Sequence, residues 1–142
     1  MKLHLITVGS PKLEYAKAGW DEYTSRLQHY HQVKLTHIPD RHNDAAHLLE
    51  AMGKAYKVVL AIDGEPFNSR TLAAFLDKRA HTAQEICFVI GGPDGLPAEV
   101  ITAADHRWRL SQLTFPHDLA MVILAESLYR ASTISAGQPY HR

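Results

Sequence analysis

Val89-Ile90-Gly91-Gly92-Pro93-Asp94-Gly95-Leu96 packs three glycines into five residues at the end of an apolar run that begins at Ile86. Glycine reaches positive φ without strain and lets another molecule approach the main chain closely, while Pro93 fixes its own φ. Two well-defined ligand loops are excluded. A phosphate cradle needs GxxxxGK[ST] and a dinucleotide fingerprint needs GxGxxG, and "GGPDGL" has neither pattern and no lysine. Taken alone, the stretch is a tight turn. Its position says more. It leaves the carboxyl end of the most continuous apolar strand, where open α/β sheets hold ligands in the crevice beyond their strand ends. A loop of this kind suits a ligand met by backbone N–H and C=O groups.

Working outward, strands alternate with helices. Leu3 to Val8 alternates in hydropathy and meets Gly9-Ser10-Pro11, a strand and a turn. Tyr15 to Tyr30 carries Trp20, Tyr23 and Leu27 at helical spacing. Val33 to Ile38 predicts a strand closed by Pro39. Asn43 predicts the cap of a helix holding Leu48, Leu49 and Met52. Lys57 to Ile62 predicts a strand ending at Asp63-Gly64, and Ser69 caps a helix whose Leu72, Phe75 and Leu76 point inward. After the Ile86–Ile90 strand come a helical segment from Pro97 to Ala104, a short strand from Trp108 to Leu110, and a long helix from Pro116 to Ile134. The strands at Val58 and Ile86 are apolar on both faces, as a mostly parallel sheet covered by helices on both sides requires. The fold class is α/β, and residues 1–142 read as one domain.

The last helix is unusual. Met121, Leu124, Ala125, Leu128 and Tyr129 cover one broad face, and Leu119, Val122 and Ile123 cover most of the other. A helix apolar nearly all round must be buried nearly all round, which predicts a second subunit against it. Glu126 and Arg130 stand four apart and can pair along it.

Bulk properties narrow the class. The 142 residues are 46% apolar and 21% charged, with fifteen Lys plus Arg against fifteen Asp plus Glu. That balance gives no electrostatic footprint of a free-standing nucleic-acid binder. The single cysteine, Cys87, lies in an apolar run and reads as an inert buried thiol. The amino-terminal stretch lacks signal-peptide features, and no run is long enough to cross a membrane, so a cytoplasmic location is expected. Ten histidines invite a metal, yet no CxxC, HExxH or similar ligand set occurs, so none is expected. No GxSxG elbow supports a hydrolase. The final "GQPYHR", Gly137 to Arg142, gathers groups able to stack on bases and grip phosphate.

"VIGGPDGL", "LSQLTFPHDLAMVILAESLYRA" and the terminal "PYHR", at this spacing and preceded by "MKLHLITVG", resemble the small SPOUT-class methyltransferases that modify a pseudouridine in bacterial large-subunit rRNA. The likeness spans the chain and is least from Asp40 to Tyr56. It implies a carboxy-terminal trefoil knot, a rare exception among folds, and a homodimer packed through it. It implies S-adenosyl-L-methionine held at Leu60, at Gly91 and along Leu110-Ser111-Gln112-Leu113-Thr114-Phe115. The reaction implied is methylation of N3 of a pseudouridine in 23S rRNA of the assembled ribosome. His117 and His141 are the candidate proton acceptors, and Arg130, Tyr140, His141 and Arg142 the candidate RNA-holding residues. Two other assignments use the same residues: a knotted methyltransferase acting on another RNA such as tRNA, and a non-enzymatic ribosome-associated binding module.

Overall fold

The computed structural model describes all residues from Met1 to Arg142. Its five strands are β1 (Lys2–Val8), β2 (Gln32–Ile38), β3 (Tyr56–Pro66), β4 (Glu85–Ile90) and β5 (His106–Arg109). Its five α-helices are α1 (Glu14–Leu27), α2 (Ala45–Met52), α3 (Ser69–Ala80), α4 (Ala98–Ala103) and α5 (His117–Ser135), with a 3-10 turn at Asp40–His42. The strands form one sheet in the order β2-β1-β4-β3-β5, and all four pairings are parallel. β4, whose end opens into the glycine loop, is central.

The two-sided apolar strands do what their pattern requires. Leu3, Leu5, Val58, Ile86 and Phe88 pack on one face against Trp20 of α1, Leu72 and Leu76 of α3, and Met121 and Leu124 of α5. Ile6, Val8, Val59, Cys87 and Val89 pack on the other face against Leu48 and Met52 of α2 and Val100 of α4. Burial, partly offset by nearby Lys57, pushes the Cys87 thiol up to about 12, so it stays protonated and inert.

Several local boundaries differ from the sequence reading, each for a physical reason. Asp44, not Asn43, caps α2, accepting from the His47 N–H at 2.9 Å. Asn43 is engaged elsewhere, donating from Nδ2 to the Gly95 carbonyl at 3.1 Å. Asn68, not Ser69, caps α3 through a reciprocal box with Thr71. α1 ends at Leu27 rather than Tyr30, so His29-Tyr30-His31 lies in a turn. β5 spans His106–Arg109 rather than Trp108 to Leu110.

The largest difference is in β3, which runs on to Pro66 instead of stopping at Ile62. Asp63-Gly64 is the apex of a bulge and not the end of the strand. Leu60 and Glu65 both pair with Trp108, so the residues between them are looped out. A Cβ on Gly64 would lie 2.7 Å from the Arg107 carbonyl carbon, so only glycine fits where the two backbones meet. The excursion leaves Ile62 92% exposed beside the carboxyl ends of the neighbouring strands.

Candidate cofactor cleft and carboxy-terminal tail

The start of the β3 bulge, the carboxyl ends of β4 and β5 and the first turn of α5 enclose a cleft of about 360 Å³. That volume lies within the range of small-molecule sites. Leu60, Ala61 and Ile62 form one wall, Gly91 to Pro93 with Gly95 and Leu96 a second, and Leu110, Ser111, Leu113, Thr114 and Phe115 a third. His117 and Ala120 close it at the start of α5. Of the residues assigned to cofactor binding from sequence, Leu60, Gly91, Leu110, Ser111, Leu113, Thr114 and Phe115 line the cleft. Gln112 does not. It lies at the apex of a turn in which the Leu113 N–H donates to Ser111 Oγ at 3.0 Å, and it is exposed.

The glycine loop is held by its own backbone. Gly95 N–H donates to the Gly92 carbonyl at 2.9 Å, and Gly95 alone in the loop has positive φ, at 78°. A Cβ on Gly91 would lie 2.9 Å from the Gly95 carbonyl carbon and 3.0 Å from Leu96 Cγ. Glycine at 91 is therefore demanded by the packing of the loop on itself, before any ligand enters.

His117 is the one imidazole among the side chains that line the cleft. Its Nε2 is buried with no hydrogen-bond partner, and its Nδ1 lies 3.7 Å from Asp118 Oδ1. That separation is an electrostatic contact and too long for a hydrogen bond. Asp118 itself is almost fully buried, and its Oδ2 accepts from Lys12 N–H at 2.9 Å and Leu13 N–H at 2.7 Å. Burial alone would raise its pKa. The two backbone donors outweigh burial, His117 adds in the same direction, and the carboxyl is held below its ordinary value. The Asp118 carboxylate thus lies on the Nδ1 side of the His117 ring, and Nε2 is left without a partner. Sequence reasoning missed Asp118, since an Asp in a helix's first turn ordinarily reads as a dipole partner.

The second group of predicted residues lies elsewhere. Gly137, with φ of 71°, ends α5 in a Schellman turn, with Gln138 N–H to Thr133 O at 2.9 Å and Gly137 N–H to Ile134 O at 3.1 Å. The turn folds the tail back onto the helix. Arg130 Nε donates to Glu126 Oε1 at 2.6 Å, its guanidinium lies 4.8 Å from the centre of the Tyr140 ring, and its Nη1 is 3.1 Å from His141 Nδ1. Tyr140 also meets Tyr129 edge-on at 4.7 Å. Burial, reinforced by Tyr23 and Glu126, pushes the Tyr140 hydroxyl up to about 12. The tail is docked, not frayed, and Arg142 at its end is exposed. Thirteen residues of helix separate His117 from Arg130, roughly 20 Å of rise. Within one chain the cleft and the tail are therefore far apart.

The comparisons give the family. Residues 1–141 match the family described as "Predicted SPOUT methyltransferase". The chain belongs to the SPOUT methyltransferase family. Among its relatives, the Ribosomal RNA large subunit methyltransferase H of Deinococcus deserti is 52% identical over 145 residues, covering 100% of both chains. The protein of the same name from Pseudomonas fluorescens is 37% identical over 155 residues, again covering 100% of both. A tRNA (m1G37) methyltransferase from Aquifex aeolicus shares the fold with a TM-score of 0.59 at 13% identity, over 99% of this chain and 72% of that one. No helix is long and apolar enough to cross a membrane, and no cluster of three or more His, Cys, Asp or Glu is placed to hold a metal ion.

Proposed function

We propose that this SPOUT protein is a cytoplasmic homodimer, with a single domain per chain and a carboxy-terminal trefoil knot. It methylates N3 of a pseudouridine in 23S rRNA of the assembled ribosome. The observation that carries this reading is the set of full-length relatives named for large-subunit rRNA methylation, at 37% to 52% identity. Those names favour rRNA over tRNA and an enzyme over a binding module.

The cleft suits S-adenosylmethionine. Its walls are mainly apolar, and the loop at Gly91 offers main-chain groups able to meet an adenine edge. Leu60, Gly91 and the residues from Leu110 to Phe115 that line the cleft would hold it. When bound, the group supplies a sulfonium-activated methyl carbon. The chain's own part is positioning and proton transfer. His117 lines the cleft and its Nε2 has no hydrogen-bond partner, which makes it the first candidate to accept the proton that N3 must release. His141 is the weaker candidate, because its Nδ1 already meets Arg130.

Arg130, Tyr140, His141 and Arg142 hold the RNA. They reach a cleft only if a partner chain brings its tail there, which the roughly 20 Å separation along α5 makes necessary. The open stripe of α5 supplies the contact surface. Leu119, Ile123, Glu126 and Arg130 recur at spacings of four, three and four, and all four are only partly buried. The deciding experiment is mass spectrometry of 23S nucleosides from cells lacking and regaining this protein. A methylated pseudouridine indifferent to the gene would end the proposal.

A further inference from the structure

Eighteen residues line the cleft, and one of them is an anomaly in an otherwise uncharged site: Arg109, at the end of β5. No other lysine or arginine lines the cleft, and no aspartate or glutamate does. Arg109 makes no ion pair, and its Nε is buried without a hydrogen-bond partner. Arg107, two residues earlier, differs. Its Nη1 lies 3.4 Å from Asp63 Oδ2, so it is engaged across the strand pair. The Nε is shielded by the protein itself, so a ligand in the cleft would be met through the terminal Nη groups of a guanidinium that has no carboxylate partner of its own.

We infer that Arg109 is the anion anchor of the cleft and that its partner is the carboxylate of the cofactor's amino-acid moiety. The inference rests on the cofactor reading above and deepens it. At neutral pH S-adenosylmethionine carries two positive groups, a sulfonium and an ammonium, and one negative group. Among the cleft-lining side chains, no carboxylate offsets the two cations, and a lone guanidinium would repel them. The arrangement becomes favourable only when the guanidinium meets the ligand's carboxylate, a geometry its planar fork matches with two parallel hydrogen bonds. This residue also sets orientation. An adenine can be met by main-chain groups at the glycine loop, but a carboxylate fixed at the end of β5 defines which way the remainder of the molecule runs across the strand ends.

The test compares two ligands on the intact protein by calorimetry: S-adenosylmethionine and its decarboxylated analogue, in which an aminopropyl group replaces the aminocarboxypropyl group. Wild-type protein should prefer the carboxylate form by about ten- to a hundredfold, the range of a charge-assisted hydrogen-bonded contact. Arg109→Met should bind both about equally, and Arg109→Lys should recover part of the preference. Melting curves of the variants establish that each is folded. A wild type with no preference would overturn the assignment without any variant, and so would an Arg109→Met protein that keeps the preference. The rival source of an anion is an RNA phosphate. In that case Arg109→Met leaves both affinities unchanged and instead weakens ribosome binding with a shallower salt dependence, and the inference fails. Wild-type protein that binds neither ligand would remove the cofactor reading itself, and the two failures are thereby separable.

Discussion

At the scale of single residues, the histidines divide by environment. His117 lines the cleft and has a nitrogen without a partner, whereas His4, His31 and His37 are structural. Burial lowers the pKa of all three, and His31 is pushed down to about 4 by burial first and the amino-terminal ammonium second. Between pH 6.5 and about 4 the unfolded chain binds a proton at His31 that the folded chain refuses. Stability is therefore full above pH 6.5 and falls as the pH drops towards 4. The urea midpoint of the wild type should decrease on going from about pH 7.5 to about pH 5, and His31→Gln should show a smaller decrease. Equal decreases would assign the acid sensitivity elsewhere. For His117 the expected signature is kinetic. His117→Asn should bind S-adenosylmethionine normally and lower kcat by about 10²- to 10⁴-fold, the range for a general base. A variant with near-normal kcat would leave proton removal to water.

At the scale of elements, α5 carries the sharpest prediction. The sequence shows a helix apolar nearly all round, and the structure separates its faces. Leu124 and Leu128 are completely buried inside their own subunit. A charge at either position unfolds the chain and says nothing about assembly. Leu119 and Ile123 lie on the partly open stripe, and Ile123→Asp is the informative change. It removes an apolar side chain from both halves of a two-fold interface, at least ~3 kcal/mol in total and roughly a hundredfold in the dimer dissociation constant. Sedimentation should find wild-type dimer and folded variant monomer. A monomeric wild type would refute the interface.

The same elements show where sequence is legible. Two-sided apolar strands and helical stripes locate the sheet and its covering, because burial dictates both patterns. The β3 bulge was illegible, because Asp63-Gly64 is a turn signal and only its pairing with β5 shows that the strand resumes. The caps shifted by one residue because neighbouring residues are each chemically competent: Asn43 is drawn away by Gly95, distant in sequence, whereas Asn68 prevails through its local box with Thr71. At the cleft, family resemblance found the loops. The tail required the Schellman turn at Gly137 before its groups could be seen as a docked cluster. Arg109 and Asp118 could not be read from pattern, since one needs the shape of the cleft and the other a contact with the residues before α1.

At the scale of the whole molecule, the balance of charge constrains what form of RNA is accepted. A protein that finds RNA by electrostatics gains affinity by neutralising many phosphates and releasing counterions. This chain has formal net charge +0, and three of its arginines are paired with its own carboxylates, Arg26 with Glu22, Arg107 with Asp63 and Arg130 with Glu126. Neither the composition nor the fold carries a basic RNA-binding module. Affinity for a short free hairpin must then be poor, and recognition must draw on a large preformed surface that presents the nucleotide and offers further contacts to the protein. Efficient methyl transfer to intact ribosomes is therefore expected, with little to protein-free rRNA or an isolated hairpin. The measurement is incorporation of labelled methyl groups at matched RNA concentration and salt. Equal rates on ribosome and hairpin would mean that a local patch suffices, with Arg142 and Arg109 the first residues to test. A rate on the hairpin that collapses with added salt while the ribosomal rate holds would instead separate counterion release from shape as the source of recognition.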